Sequence, residues 1–135
     1  MSPSHILYSV LTYGVASNLT DWFFFGILFH NKYSAHPEVW RRTQGAGGEG
    51  KAIAWSTLIS LLTIAGFICA CSTFSIHGYK PTLEFAALIW IIAALPLTIT
   101  NALFIKLHPL TVVSHSLGWL ARLILAAIAV GFFLN

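Results

Sequence analysis

Charge is scarce in this chain. Only 8% of the 135 residues are Asp, Glu, Lys or Arg. A water-soluble domain of this size carries roughly a quarter of its residues as charges, so most of this surface is not made for water. Basic residues number seven against four acidic ones, a net charge of +3. They are scattered over loops and one helix, with no basic stripe for a nucleic-acid backbone, and nucleic acid is excluded as a partner. Cysteine is nearly absent too. Cys69 and Cys71 lie two apart in one apolar run; on a helix they point to different faces and cannot bridge, and they read as buried small hydrophobes. No Lys or Arg precedes Ile6, and the first run is long and interrupted by Asn18 and Asp21, unlike a cleaved signal peptide.

What fills the chain is apolar. Hydrophobic residues make up 57%, and the mean hydropathy is +0.79. They gather in four runs, at about 6–29, 52–75, 83–105 and 110–134. Each exceeds the ~20 residues that span a ~30 Å hydrocarbon core at about 1.5 Å per residue. Backbone groups left unpaired in lipid are costly, so each run is expected to be helical. The short turns after the second and third runs force neighbouring helices antiparallel. The expectation is therefore an all-α, multi-pass membrane protein forming a single four-helix antiparallel bundle, 1–135, with the lipid bilayer as its first partner.

Orientation follows from the basic residues. Lys32, Arg41, Arg42 and Lys51 lie in the 30–51 loop and Lys106 in the third connection, against Lys80 alone on the opposite side. The positive-inside rule then places both termini outside and the 30–51 loop in the cytoplasm. With no other targeting signal in view, the bacterial inner membrane is the expected location. Tyr33, Trp40, Trp55 and Tyr79 fall near run ends, where amphipathic rings favour the headgroup layer.

The glycine-rich stretch 45–51 has the spacing of a phosphate-binding loop leading into a helix. Ala52 then stands where a magnesium-holding Ser or Thr is required, and no buried strand precedes it. It reads as a flexible linker ending in a snorkelling lysine.

The chemistry-bearing residues are those inside the runs. A charge at mid-bilayer costs at least ~2.5 kcal/mol, so its presence asks for a reason. Asp21 is expected ~12 Å from the inner end of the first helix and Arg122 ~18 Å from that of the fourth. The difference is within reach of an extended arginine, and pairing lowers the desolvation cost of both. Asn18, Asp21, Trp22 and Phe25 form one polar and aromatic group on the first helix, and His115, Gly118 and Arg122 a second on the fourth. Thr98 and Asn101 lie at similar depth on the third. The expected site is a ligand or proton pocket in the cytoplasmic half, formed by Asn18, Asp21, Trp22, Asn101, His115 and Arg122. The competing expectation is that Asp21 and Arg122 only pin helix register, with His115 and Asn101 as interhelical hydrogen-bond links.

No cofactor or metal is expected. Haem held by two histidines needs a second helical histidine facing His115, and the other five lie near the surfaces. His30, His36, Glu38 and His108 could meet at the inner interface, in no recognised ligand spacing. No catalytic residue is assigned.

The residues 101–104, then Pro109, Leu110, Gly118, Trp119 and a small-residue helix to Gly131, resemble the C-terminal half of an uncharacterised group of small bacterial four-helix membrane proteins, a domain of unknown function. The aromatic stretch 21–29 followed by Trp40 is similar to that group's first helix. The resemblance implies a four-helix architecture and no activity.

Three functional classes follow from the residues. One is a protein that binds or moves a small solute or proton, as a homo-oligomer closed along a small-residue seam at Ala127 and Gly131. A second is an accessory or assembly subunit of a larger membrane complex, docking through the 30–51 loop. The third is a membrane enzyme acting on a lipid-soluble substrate with Asp21 or His115 as acid or base.

Overall fold

The computed structural model describes residues 3–31, 35–36 and 48–133, without the side chains of Phe25, Gly26, Gly48 and Glu49. Lys32, Tyr33, Glu38, Trp40, Arg41, Arg42, Leu134 and the glycines at 45 and 47 lie outside the described residues. Among the described residues the chain is helical apart from short connections, with no strand. Helix α1 spans Pro3–Asp21 and continues as a π-helical segment, Trp22–Leu28. Helix α2 spans Gly48–Thr73. The third rod is α3 (Tyr79–Ile89), a π-helical turn (Trp90–Ala94) and α4 (Leu95–Phe104). Helix α5 spans Pro109–Phe133.

Three of these helices are long and apolar enough to cross a membrane: Gly50–Thr73, Tyr79–Phe104 and Pro109–Phe133, with mean hydropathies of 2.0, 2.0 and 1.9. Most of their apolar side chains point outward. Leu62, Ile92, Leu103 and Phe132 are exposed on the surface of the chain. A soluble fold would bury such residues, so an outer surface of this kind belongs in lipid.

The helices begin earlier than the apolar runs. Gly48 through Lys51 already form the first turn of α2, four residues ahead of Ala52. Tyr79, Lys80 and Pro81 form the first turn of α3, ahead of Leu83. First-turn N–H groups have no intrahelical acceptor, so Pro81 loses nothing there, and polar residues are tolerated where the helix meets the headgroups. The rigid ring of Pro96 has the opposite effect further on. It lacks an N–H and crowds the carbonyl one turn back, and the helix meets it with the wide turn at Trp90–Ala94, where the Leu95 N–H reaches the Trp90 carbonyl.

The connection between α2 and α3 is a Schellman turn. The Ile76 N–H donates to the Cys71 carbonyl at 2.8 Å and the Ser75 N–H to the Ser72 carbonyl at 3.3 Å. Ser75 holds the left-handed position at φ 53°, and Ile76 packs onto the core as the apolar residue after such a turn does. Gly78 follows at φ 85°, ψ 159°, a conformation open only to glycine, and caps α3. At the other connection the His108 ring caps α5, its Nδ1 accepting the Leu110 N–H at 3.2 Å.

Helix α5 is the best-buried helix and packs on both α1 and α3. The core lies where α1, α2, α3 and α5 meet, around Tyr13, Ile64, Phe67, Ala86, Leu123 and Ala126. Helices α3 and α5 approach closely at Gly131, where a Cβ would stand 2.9 Å from Tyr79 Cδ1 and 3.2 Å from Tyr79 Cα. Thr82 adds a hydroxyl bond to the Ala127 carbonyl at 3.3 Å. The small-residue seam at Ala127 and Gly131 is thus packed within the chain, against α3. Of the cysteines only Cys71 is buried; Cys69 is exposed, contrary to the reading of both as buried. Two positions apart on a helix is a rotation of about 200°, which sends the pair to opposite faces.

A candidate polar site between α1, α2 and α5

Asp21 ends the regular part of α1 and Arg122 sits midway along α5, 101 positions apart in sequence and in direct contact. Arg122 Nε donates to Asp21 Oδ1 at 3.1 Å, and Nη2 donates to Oδ2. This is the two-pronged arrangement that matches a planar guanidinium to a carboxylate. Both side chains are largely withdrawn from the surface, at 14% exposure for Arg122 and 20% for Asp21. The guanidinium also lies 5.7 Å from the ring centre of Trp119, one turn back on α5, a cation–π contact on its apolar side.

Helix α2 supplies the third wall. Ser56 Oγ donates to Asp21 Oδ2 at 3.4 Å and accepts from Arg122 Nη2 at 3.4 Å, so one hydroxyl touches both members of the pair. One turn away from the pair, Thr57 donates to Asn18 Oδ1 at 3.0 Å, while Asn18 Nδ2 donates to the Gly14 carbonyl at 2.8 Å. Ser17 donates to Ser60 at 3.2 Å, both fully buried. Three successive polar contacts thus run up the α1–α2 interface: Asp21 with Ser56, Asn18 with Thr57, Ser17 with Ser60. They recur because Ser17 and Asp21 are four apart on α1, as Ser56 and Ser60 are on α2. Numbers rise along one helix as they fall along the other, which fixes the local direction of packing.

Of the six residues expected in the site, Asp21, Arg122 and Asn18 come together. Trp22 opens the π-helical segment and is 63% exposed. His115 lies two turns before Arg122 on α5, with its side chain on an exposed face. Asn101 is half-buried on α4, a helix with no fully buried residue. The π-helical turns explain part of this spread. Each adds residues to a turn, so positions beyond Asp21 on the first helix and beyond Trp90 on the third are rotated away from a strict 3.6-residue count.

The residues missed by sequence were those of α2, with Ser17, Tyr13 and Trp119. The available signal was spacing: Tyr13, Ser17 and Asp21 at steps of four on α1, opposite Ser56 and Ser60 at a step of four on α2.

Two of the histidines expected near the inner surface converge. The rings of His36 and His108 are 4.3 Å apart, in a groove of about 420 Å³ shared with Asn31, Ala35 and Leu110. Among the described residues no group of three or more His, Cys, Asp or Glu is placed to hold a metal ion.

Comparison with protein families, with curated proteins and with solved structures returns no match. The likeness of the segments around Asp21 and Asn101 to small four-helix membrane proteins therefore rests on those short motifs alone.

Proposed function

We propose that this chain is a multi-pass membrane protein, a four-helix antiparallel bundle with both termini outside and the 30–51 loop in the cytoplasm. In this reading its polar seam binds or passes a small solute or a proton. The bacterial inner membrane is the proposed location, on the strength of the charge asymmetry between its loops.

The observation that carries the reading is the Asp21–Arg122 pair, held with Ser56 between three helices whose outer faces are apolar. Two charges taken out of water offset their desolvation only when geometry is good, and apolar replacements of equal volume are often as stable or more so. An ion pair kept at such a place, continued by hydroxyls on facing helices, is the equipment of a polar path through lipid. Ser56, which both accepts from the cation and donates to the anion, ties α2 to the pair.

Reconstitution into sealed liposomes tests this. A proton gradient or a panel of small charged and zwitterionic solutes is imposed, and flux is followed by an internal pH dye or by tracer uptake. The reading expects flux above that of protein-free liposomes, reduced at least tenfold by Asp21→Asn. Flux equal to that of empty liposomes for every species, from protein shown to be folded, rejects it in favour of an accessory or purely structural role.

A further inference from the structure

The seam does not stop at Ser17 and Ser60. One turn deeper on the same face of α1 stands Tyr13, 1% exposed and among the largest fully buried side chains of the chain. Its hydroxyl is sealed from the surface and lies beside Ser17, yet makes no hydrogen bond of ordinary geometry among the described residues. Buried hydroxyls in native proteins nearly always have one, because leaving the group bare forfeits its whole hydration. Around Tyr13 the apolar cluster closes, with Ile64, Phe67 and Leu123 in the same core. The polar side of its surroundings is the seam, where Ser17 donates to Ser60.

We propose that Tyr13, Ser17 and Ser60 form a binding site for a water molecule at the deep end of the seam. The water accepts from the Tyr13 hydroxyl and donates to a serine oxygen, two to three polar partners being what a buried water requires. The inference deepens the function proposed above and rests on that reading of the seam: it makes the admitted species water, or a proton carried on hydroxyls, and not a larger solute. The positions form a line. From Asp21 and Ser56, one turn reaches Ser17 and Ser60, and a further turn reaches Tyr13, about 12 Å in all along α1. No step in this line demands a cofactor.

The substitution Tyr13→Phe tests it because it removes one oxygen and leaves the ring. The site is read by water-to-protein magnetisation transfer in solid-state NMR of the full chain in lipid, and by thermal unfolding in detergent. The inference expects water contact at Ser17 and Ser60 in the wild type, reduced severalfold in Tyr13→Phe, with a lower unfolding temperature. Absence of water contact in the wild type, together with a higher unfolding temperature for Tyr13→Phe, overturns it, since the hydroxyl would then be bare. If Tyr13→Phe does not fold, Ser60→Ala in the same NMR measurement decides: the signal at Ser17 falls or the site is refuted. Failure here is separable from failure of the seam. Flux that survives without water at Tyr13 rejects this site alone, whereas a hydrated Tyr13 in a chain that conducts nothing rejects the transport reading alone.

Discussion

Breaking one side of the Asp21–Arg122 pair should cost more than breaking both. In Asp21→Asn the guanidinium of Arg122 stays where it is, 14% exposed, with Ser56 and the Trp119 face as its remaining partners. Removing one member of a buried ion pair costs ~3–5 kcal/mol, and the residual exposure here argues for the lower end, ~3 kcal/mol. Were the contact ordinary interhelical hydrogen bonding, two bonds at ~0.6 kcal/mol each would give about 1 kcal/mol. Arg122→Leu leaves the Asp21 carboxylate with the Ser56 hydroxyl and should cost a similar ~3 kcal/mol. In the double variant both charges are gone and the introduced leucine side chain fills part of the space, so stability should return to within about 1 kcal/mol of wild type. The coupling energy is then several kcal/mol, far beyond the ~0.5 kcal/mol within which independent sites add. Equilibrium unfolding of the four proteins in mixed micelles measures it. Additivity of the two single changes would refute the claim that these side chains neutralise each other.

Other outcomes follow from the packing. Ser75→Gly should raise stability by about 0.5–1 kcal/mol, because glycine takes the left-handed position at φ 53° without the cost a Cβ imposes; a loss on thermal unfolding would contradict the turn geometry. Gly131→Val should destabilise by ~1–3 kcal/mol, since its Cβ would collide with Tyr79 at side chain and backbone alike. If the oligomeric state changed instead while stability held, the tight α3–α5 contact would be wrong. Membrane-permeant maleimide should label exposed Cys69 much faster than buried Cys71, compared as single-cysteine variants; equal rates would deny the rotation of α2 described above.

How much of this was legible beforehand differs by residue. The long helices were, because hydropathy and the cost of unpaired backbone in lipid leave no other structure for such runs. Their starting points were not, because Gly48–Lys51 and Tyr79–Pro81 continue a helix into the headgroups with residues that no apolar count includes. The Asp21–Arg122 contact was legible from elementary electrostatics: two isolated opposite charges in apolar runs lower their cost by meeting. The contribution of α2 was hidden by ambiguity. Thr63 and Thr73 bond only to carbonyls one turn back on their own helix, as Ser and Thr in membranes often do, and nothing in composition separates them from Ser56 and Ser60, which reach across. His115 and Asn101 were placed by depth and periodicity. Depth does not set rotation, and the π-helical turn at Trp90–Ala94 offsets the count for Asn101. Gly131 was recognisable as a close-packing residue, but its partner, Tyr79 of the same chain, was a matter of tertiary arrangement.

The decisive measurement pairs folding with flux in one protein, the double variant Asp21→Asn, Arg122→Leu. Reconstituted beside wild type at equal protein-to-lipid ratio, it should unfold near the wild-type midpoint and yet pass neither protons nor solute above empty liposomes. A double variant that is equally stable and still conducts at the wild-type rate would show that the buried charges serve only to hold the helices together.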